Sequence, residues 1–204
     1  MQEIAPGLWW WTCPHPDWTP EDLEGGEGWE QIVSSYALIA DGAFLLFDPL
    51  IRDWEWPDRQ VEEHGPPVTL ITIFWHARSA QAILDRYEGA SVWVYAPAEE
   101  WVGERTRYTH TFNAGDALPV TIEAFPMRRA LEVAYWLPQH NSVIFGDTIL
   151  RHGDRATLFP PTWARRNQEI IDAARQAVRE LMERRPDRLL LTHGGPTDPS
   201  ALEV

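Results

Sequence analysis

The residues best placed for chemistry cluster in one corner of the chain, Val68-Thr-Leu-Ile-Thr-Ile-Phe-Trp-His-Ala-Arg-Ser-Ala80. Its apolar and β-branched start makes a buried strand. His76, Arg78 and Ser79 follow where the strand ends and a helix-like run to Tyr87 begins. In open α/β architectures ligands bind at such corners. A histidine there can ligate a metal or act as a general base, and an arginine can hold an anion or steady an oxyanion. Ser79, one turn from His76, has the makings of a nucleophile for a metal-free hydrolase, although chance supplies such a pair readily.

The elements that carry this corner can be read from the pattern on either side. Leu8–Thr12 is a first strand, and the acidic, Pro- and Gly-rich stretch from Pro14 to Gln31 is a long surface loop. Its Asp17–Glu30 part is a solvated insertion, with a lid or a dimer contact as the rarer options. Ser34–Ala40 and Ala43–Phe47 flank Asp41-Gly42, a two-residue hairpin signal, and run into Asp48-Pro49. Ser79–Tyr87 and Ala98–Arg105 are helices around the strand Val92–Tyr95. Val120–Ala124, Ala130–Leu137 and Ser142–Phe145 are strands. Trp163–Arg184 is the clearest helix, with Ile170, Ala174, Val178, Leu181 and Met182 on one face. Leu189–Thr192 is a buried strand that ends at His193. Strands followed by helices, twice over, predict two packed sheets covered by helices.

Composition narrows the function. A length of 204 residues suits one domain spanning 1–204, able to bury about 70% of its unfolded surface. With 31 acidic residues against 17 basic ones the net charge is −14, which disfavours nucleic acid and anionic membranes as partners. All 17 basic residues are arginine, so Schiff-base lysine chemistry and a Walker-type phosphate loop are excluded. Cys13 is the only cysteine, which rules out an internal disulfide and a Cys-rich metal site. The start, Met1-Gln-Glu-Ile-Ala-Pro-Gly-Leu8, lacks a basic n-region, and Trp9–Trp11 is too short for a signal or span. A cytoplasmic location is the expectation.

The corner resembles the signature of the metallo-β-lactamase-fold hydrolases, Thr-His-x-His-x-Asp-His, which binds two metal ions, usually zinc. On that pattern Phe74 stands for the first His, His76 for the second, Arg78 for the Asp and Ser79 for the last His. The opening hairpins, Ile144-Phe-Gly-Asp147 and Leu-Thr-His-Gly194 extend the resemblance over nearly the whole chain. It implies an α/β fold: a four-layer αβ/βα sandwich of two mixed sheets flanked by helices. It also implies that Asp147 matches a metal-bridging Asp, His193 a final His ligand, and Asp48 a carboxylate supporting the site from behind. The turn Pro126-Met-Arg128 sets Arg128 where a third His belongs.

His76, Asp147 and His193 thus remain, while Phe74, Arg78, Ser79 and Arg128 replace four ligands. Neither metal position keeps three ligands, and a guanidinium repels a dication, so a dinuclear centre is not expected. What remains is one divalent metal on His76, Asp147 and His193, zinc first, or no metal. The resemblance therefore implies a hydrolase-like protein with an altered site, at most mononuclear or else metal-free, with His76, Asp147 and His193 catalytic. The alternative is a non-catalytic scaffold, a small-anion-binding or interaction module in which Arg78 and Arg128 replace the metal charge. The partner is a small molecule, an anion if the arginines are read so; a homo-oligomer is also open. His15, His64, His110, His140 and His152 are expected to face solvent or bond locally. Trp75 is expected in the core, with Trp9–Trp11 and Trp18 lining the cleft mouth.

Overall fold

The computed structural model describes the backbone of residues 1–26 and 28–204, and the side chains of 1–23 and 28–204. Glu27, inside the acidic loop expected at Asp17–Glu30, lies outside the described residues. The first sheet has seven strands in chain order: β1 (Gln2–Ala5), β2 (Leu8–Pro14), β3 (Ile32–Ala40), β4 (Ala43–Phe47), β5 (Val68–Leu70), β6 (Ser91–Tyr95) and β7 (His110–Phe112). β1 to β4 are antiparallel, and the expected hairpin at Asp41 and Gly42, whose φ angles are both positive, joins β3 to β4. β4 to β7 are parallel, so the connections cross over. Three helices make those crossings or follow them: α1 (Glu55–His64), α2 (Ala80–Arg86) and α3 (Glu99–Gly103).

The second sheet contains β8 (Glu123–Pro126), β9 (Val133–Leu137), β10 (Ser142–His152), β11 (Arg155–Leu158), β12 (Arg188–His193), β13 (Gly195–Thr197) and β14 (Leu202–Glu203). The long helix α4 (Gln168–Met182) precedes β12. β10 is the spine, antiparallel to β9 and β11 and parallel to β12. Both sheets are mixed, as expected.

The alternation of side chains along each strand builds the layers. Leu45 and Phe47 of β4 point between the sheets, where they join Leu8, Tyr36, Leu38, Leu70, Tyr135, Leu137, Ile144 and Leu190. Phe44 and Leu46 of the same strand point the other way, onto Ile83 of α2 and Trp56 and Val61 of α1. On the far side Ala177, Val178 and Leu181 of α4 cover Phe145, Leu189 and Leu191. Helices, sheet, sheet and helix make the four-layer αβ/βα sandwich.

Several boundaries move. The helix expected at Trp163–Arg184 begins at Gln168, because Asn167 caps it: its Oδ1 accepts from the backbone N–H groups of Glu169 and Ile170. Pro161–Ala164 forms a separate 3₁₀ turn. The buried face of α4 is Ile171, Ala174, Ala177, Val178 and Leu181, whereas Ile170 lies exposed. Helix α1 is absent from the sequence pattern because its apolar side chains are too sparse for a periodic face.

Candidate functional site

Three chain segments deliver the expected residues to one place. β5 ends at Leu70, and the backbone then turns through a single 3₁₀ turn, Phe74–Ala77, that carries His76. Asp147 arrives from a break in β10. That strand pairs with β12 from Ser142 opposite Arg188 to Phe145 opposite Leu191, and next at Leu150 opposite His193. Four residues of β10 therefore bulge against one of β12. Thr192 closes the bulge by donating its hydroxyl to the Gly146 carbonyl at 2.8 Å. Gly146 has to be glycine, since a Cβ there would lie 2.5 Å from Thr72 Oγ1 and 3.0 Å from Glu132 Oε1. His193 is the last residue of β12.

His76 Nε2 lies 3.1 Å from Asp147 Oδ1, and His193 Nε2 lies 3.0 Å from the same oxygen. All three side chains are buried. Close as they are, neither contact has hydrogen-bond geometry, and Asp147 Oδ1 has no hydrogen-bond partner among the described residues. Among the described residues this is the only group of three or more His, Cys, Asp or Glu ligand atoms lying within 4.8 Å of one another. The other Asp147 oxygen accepts the indole N–H of Trp75. Behind the group, fully buried Asp48 accepts from the Thr72 backbone N–H at 2.8 Å and from the Thr72 hydroxyl, and lies 2.9 Å from His76 Nδ1.

The electrostatics follow from burial against charge. Burial raises the Asp147 carboxyl, but His76 and His193 outweigh it and hold it well below the usual range. Burial and Arg78 press His76 down, yet Asp147 and Asp48 together turn its net shift upward. His193 goes the other way: burial lowers it further than Asp147 restores. Next to them Glu132 is pushed up to about 7, by burial first, with Arg129 opposing and Asp147 assisting.

The group forms the floor of an open cavity of about 430 Å³, lined in addition by His15, Asp17, Trp29, Trp75, Arg78, Arg105, Arg129 and Trp163. Arg78 has a positive φ of 40° and donates Nη1 to the carbonyls of Ser34 and Asp48, both at 2.9 Å. Ser79 does not face the cavity. Its hydroxyl accepts the Ile51 backbone N–H at 2.9 Å, which occupies it structurally.

Arg128 is a correction. It points outward and pairs with Glu180 of α4 at 2.7 Å, half exposed. The arginine that reaches the cavity is its neighbour Arg129, bonded to buried Glu132 at 3.1 Å. The turn after β8 sets Met127 under α4, Arg128 outside and Arg129 inward, and Arg128, Ala130 and Leu131 all have positive φ. A one-residue shift exchanges faces, and no sequence signal fixes the register of such a turn.

Trp75 is a second correction, since it bonds Asp147 and lines the cavity. The aromatic wall is Trp29, Trp75 and Trp163. Trp9 and Trp11 pack on Trp56 instead, and the Trp18 indole donates to the Trp29 carbonyl. His15 also belongs to the wall, edge-on to Trp29, whose ring sits 5.2 Å from that of His193. These loop residues have no local signature that marks them.

No protein-family model matches this sequence, and no curated protein matches it. Solved structures do. The chain superposes on the DIM-1 metallo-β-lactamase with a TM-score of 0.70 at 16% identity, covering 98% of this chain and 91% of that one. A metallo-β-lactamase from Pontibacter korlensis gives 0.71 at 13% identity, with 98% and 93% covered. FIM-1 from Pseudomonas aeruginosa, solved in a mono-zinc form, gives 0.69 at 12% identity, with 98% and 89% covered.

Proposed function

With the metallo-β-lactamase fold as its frame, we propose that this chain is a hydrolase-like enzyme acting on a small molecule, with a single divalent metal, zinc for preference, held by His76, Asp147 and His193. The carrying observation is the convergence of two imidazole nitrogens on one carboxylate oxygen without hydrogen-bond geometry. Such an arrangement suits lone pairs aimed at a common centre. Two nitrogens and one oxygen beside an open cavity are the donor set of a catalytic zinc site with a free position.

The surroundings support the same reading. Asp48 at 2.9 Å from Nδ1 of His76 favours the proton on that nitrogen and leaves Nε2 as a ligand, the outer carboxylate that metal-bound histidines usually have. Trp75 holds Oδ2 of Asp147 and so turns Oδ1 to the two histidines. Glu132, pushed up to about 7, is only partly ionised near neutral pH, so with both histidines neutral the carboxylates around the site roughly balance the guanidinium groups of Arg78 and Arg129. When bound, zinc would supply Lewis acidity toward a carbonyl or phosphoryl oxygen. Tryptophans wall the cavity, which is of the size that small molecules fill.

The upward shift of His76 favours a second reading, in which its imidazole is protonated between Asp48 and Asp147 and the site works without metal. Elemental analysis of protein purified without chelator, repeated after soaking in zinc, separates the two. About one zinc per chain, lost in His76→Ala and in His193→Ala, is expected. A metal content at trace level after soaking rejects the mononuclear site in favour of the protonated one. Cytoplasmic residence remains part of the proposal; no helix among the described residues is long and apolar enough to cross a membrane.

A further inference from the structure

Although the chain has a net charge of −14, three arginines border its cavity. Two of them carry buried donors with no partner among the described residues: Nε and Nη2 of Arg78, and Nε of Arg129. Buried donors are rarely left so. The Arg78 pair is the edge with which a guanidinium grips both oxygens of a carboxylate. This chain uses that edge twice elsewhere. Arg86 sets Nε and Nη2 against the two oxygens of Asp58 at 2.8 and 2.5 Å, and Arg155 does the same to Glu203. In Arg78, Nη1 is fixed by two carbonyls, so the remaining edge is held in place with no partner among the described residues.

Arg129 is held more tightly still. Its side chain is 4% exposed, and Nη1 is bonded to Glu132. The guanidinium carbon lies 4.3 Å from the centre of the Phe159 ring, 5.4 Å from Trp163 and 5.8 Å from Trp75. Fixed donors thus stand beside aromatic walls, a lining suited to a ligand with one anionic and one apolar end.

We infer that the cavity receives a small organic carboxylate, with its oxygens on the free guanidinium donors of Arg78 and Arg129 and its apolar part among Trp29, Trp75 and Trp163. Arg105, exposed at the mouth with its guanidinium over the Phe74 ring, adds long-range attraction. This names the substrate class of the site proposed above. It rests on that reading for turnover but not for binding.

The test is calorimetric titration of metal-stripped protein with 3-phenylpropanoate and with its neutral amide. The acid is expected to bind about 10-fold more tightly than the amide. Arg129→Lys keeps the charge beside Glu132 but loses the Nε donor, and should remove most of that preference. Arg105→Gln, at an exposed position whose loss does not threaten folding, should weaken the acid about 2- to 3-fold at low salt and less at high salt. Equal affinity for acid and amide, an unchanged preference in both variants, or acid binding only after zinc is restored would each overturn the inference. Because the metal is stripped first, failure of the zinc site leaves this result interpretable.

Discussion

Arginine, carboxylate and aromatic rings build two clusters in this molecule, one closed and one open. Around Asp58, where α1 meets α2, three donors converge on one carboxylate. Nε and Nη2 of Arg86 and the Tyr87 hydroxyl all end on the Asp58 carboxylate, and the Arg86 guanidinium lies over the rings of Trp54 and Tyr87. Arg86 and then Tyr87 hold Asp58 down at about 2. On the cavity floor the same groups are buried yet incompletely matched: Asp147 Oδ1, His193 Nδ1 and three guanidinium nitrogens have no hydrogen-bond partner among the described residues. The closed cluster joins two helices. The open one leaves polar atoms unmatched within the fold, which is what the proposed ligand site requires.

The comparison can be broken in four ways. The largest effect belongs to Asp48→Ala, which strands the Thr72 and His76 donors in the interior. A loss of about 3–5 kcal/mol in urea unfolding is expected. Asp58→Ala should cost far less, because solvent replaces its partners. Equal losses would erase the distinction between the clusters.

Glu132 gives a pH signature of the same contrast. Its folded value of about 7 lies above the ordinary 4.5, so between those values the folded chain holds more protons than the unfolded one. Its contribution to stability therefore falls as pH rises from about 4.5 to about 7. Glu132→Gln should abolish that slope, seen as urea midpoints of the two proteins diverging with pH; parallel midpoints would mean an ordinary carboxylate. Trp75→Phe removes the Asp147 Oδ2 donor and should weaken zinc about 10-fold in a competition with a chelating dye, whereas Trp54→Phe should not. Smallest is Arg86→Lys. Losing the two-handed grip on Asp58 at the surface should shift the melting temperature by about 2 °C or less.

How much of this was legible from sequence follows from which residues strands can place. Asp48 directly follows β4, His76 follows β5, and His193 ends β12, so the hydrophobic runs that define those strands also locate the side chains. The sandwich was readable for the same reason: the runs alternate or stay buried according to layer. Arg129 was not readable, because three positive φ angles after β8 decide which of two adjacent arginines turns inward. Trp29, Trp163 and His15 sit in loops whose path is fixed only by tertiary contacts. Helix α1 was hidden by its polar composition and by Pro57, tolerated because it lies in the first turn.

Two of the three residues that differ from the ligand signature beside His76, Arg78 and Ser79, have structural duties. Arg78 Nη1 ties the ends of β3 and β4 through the Ser34 and Asp48 carbonyls, and Ser79 satisfies the Ile51 N–H. Replacing Arg78 by Asp and Ser79 by His would cut one buried and two partly buried hydrogen bonds, so either change alone is expected to loosen the corner that carries His76.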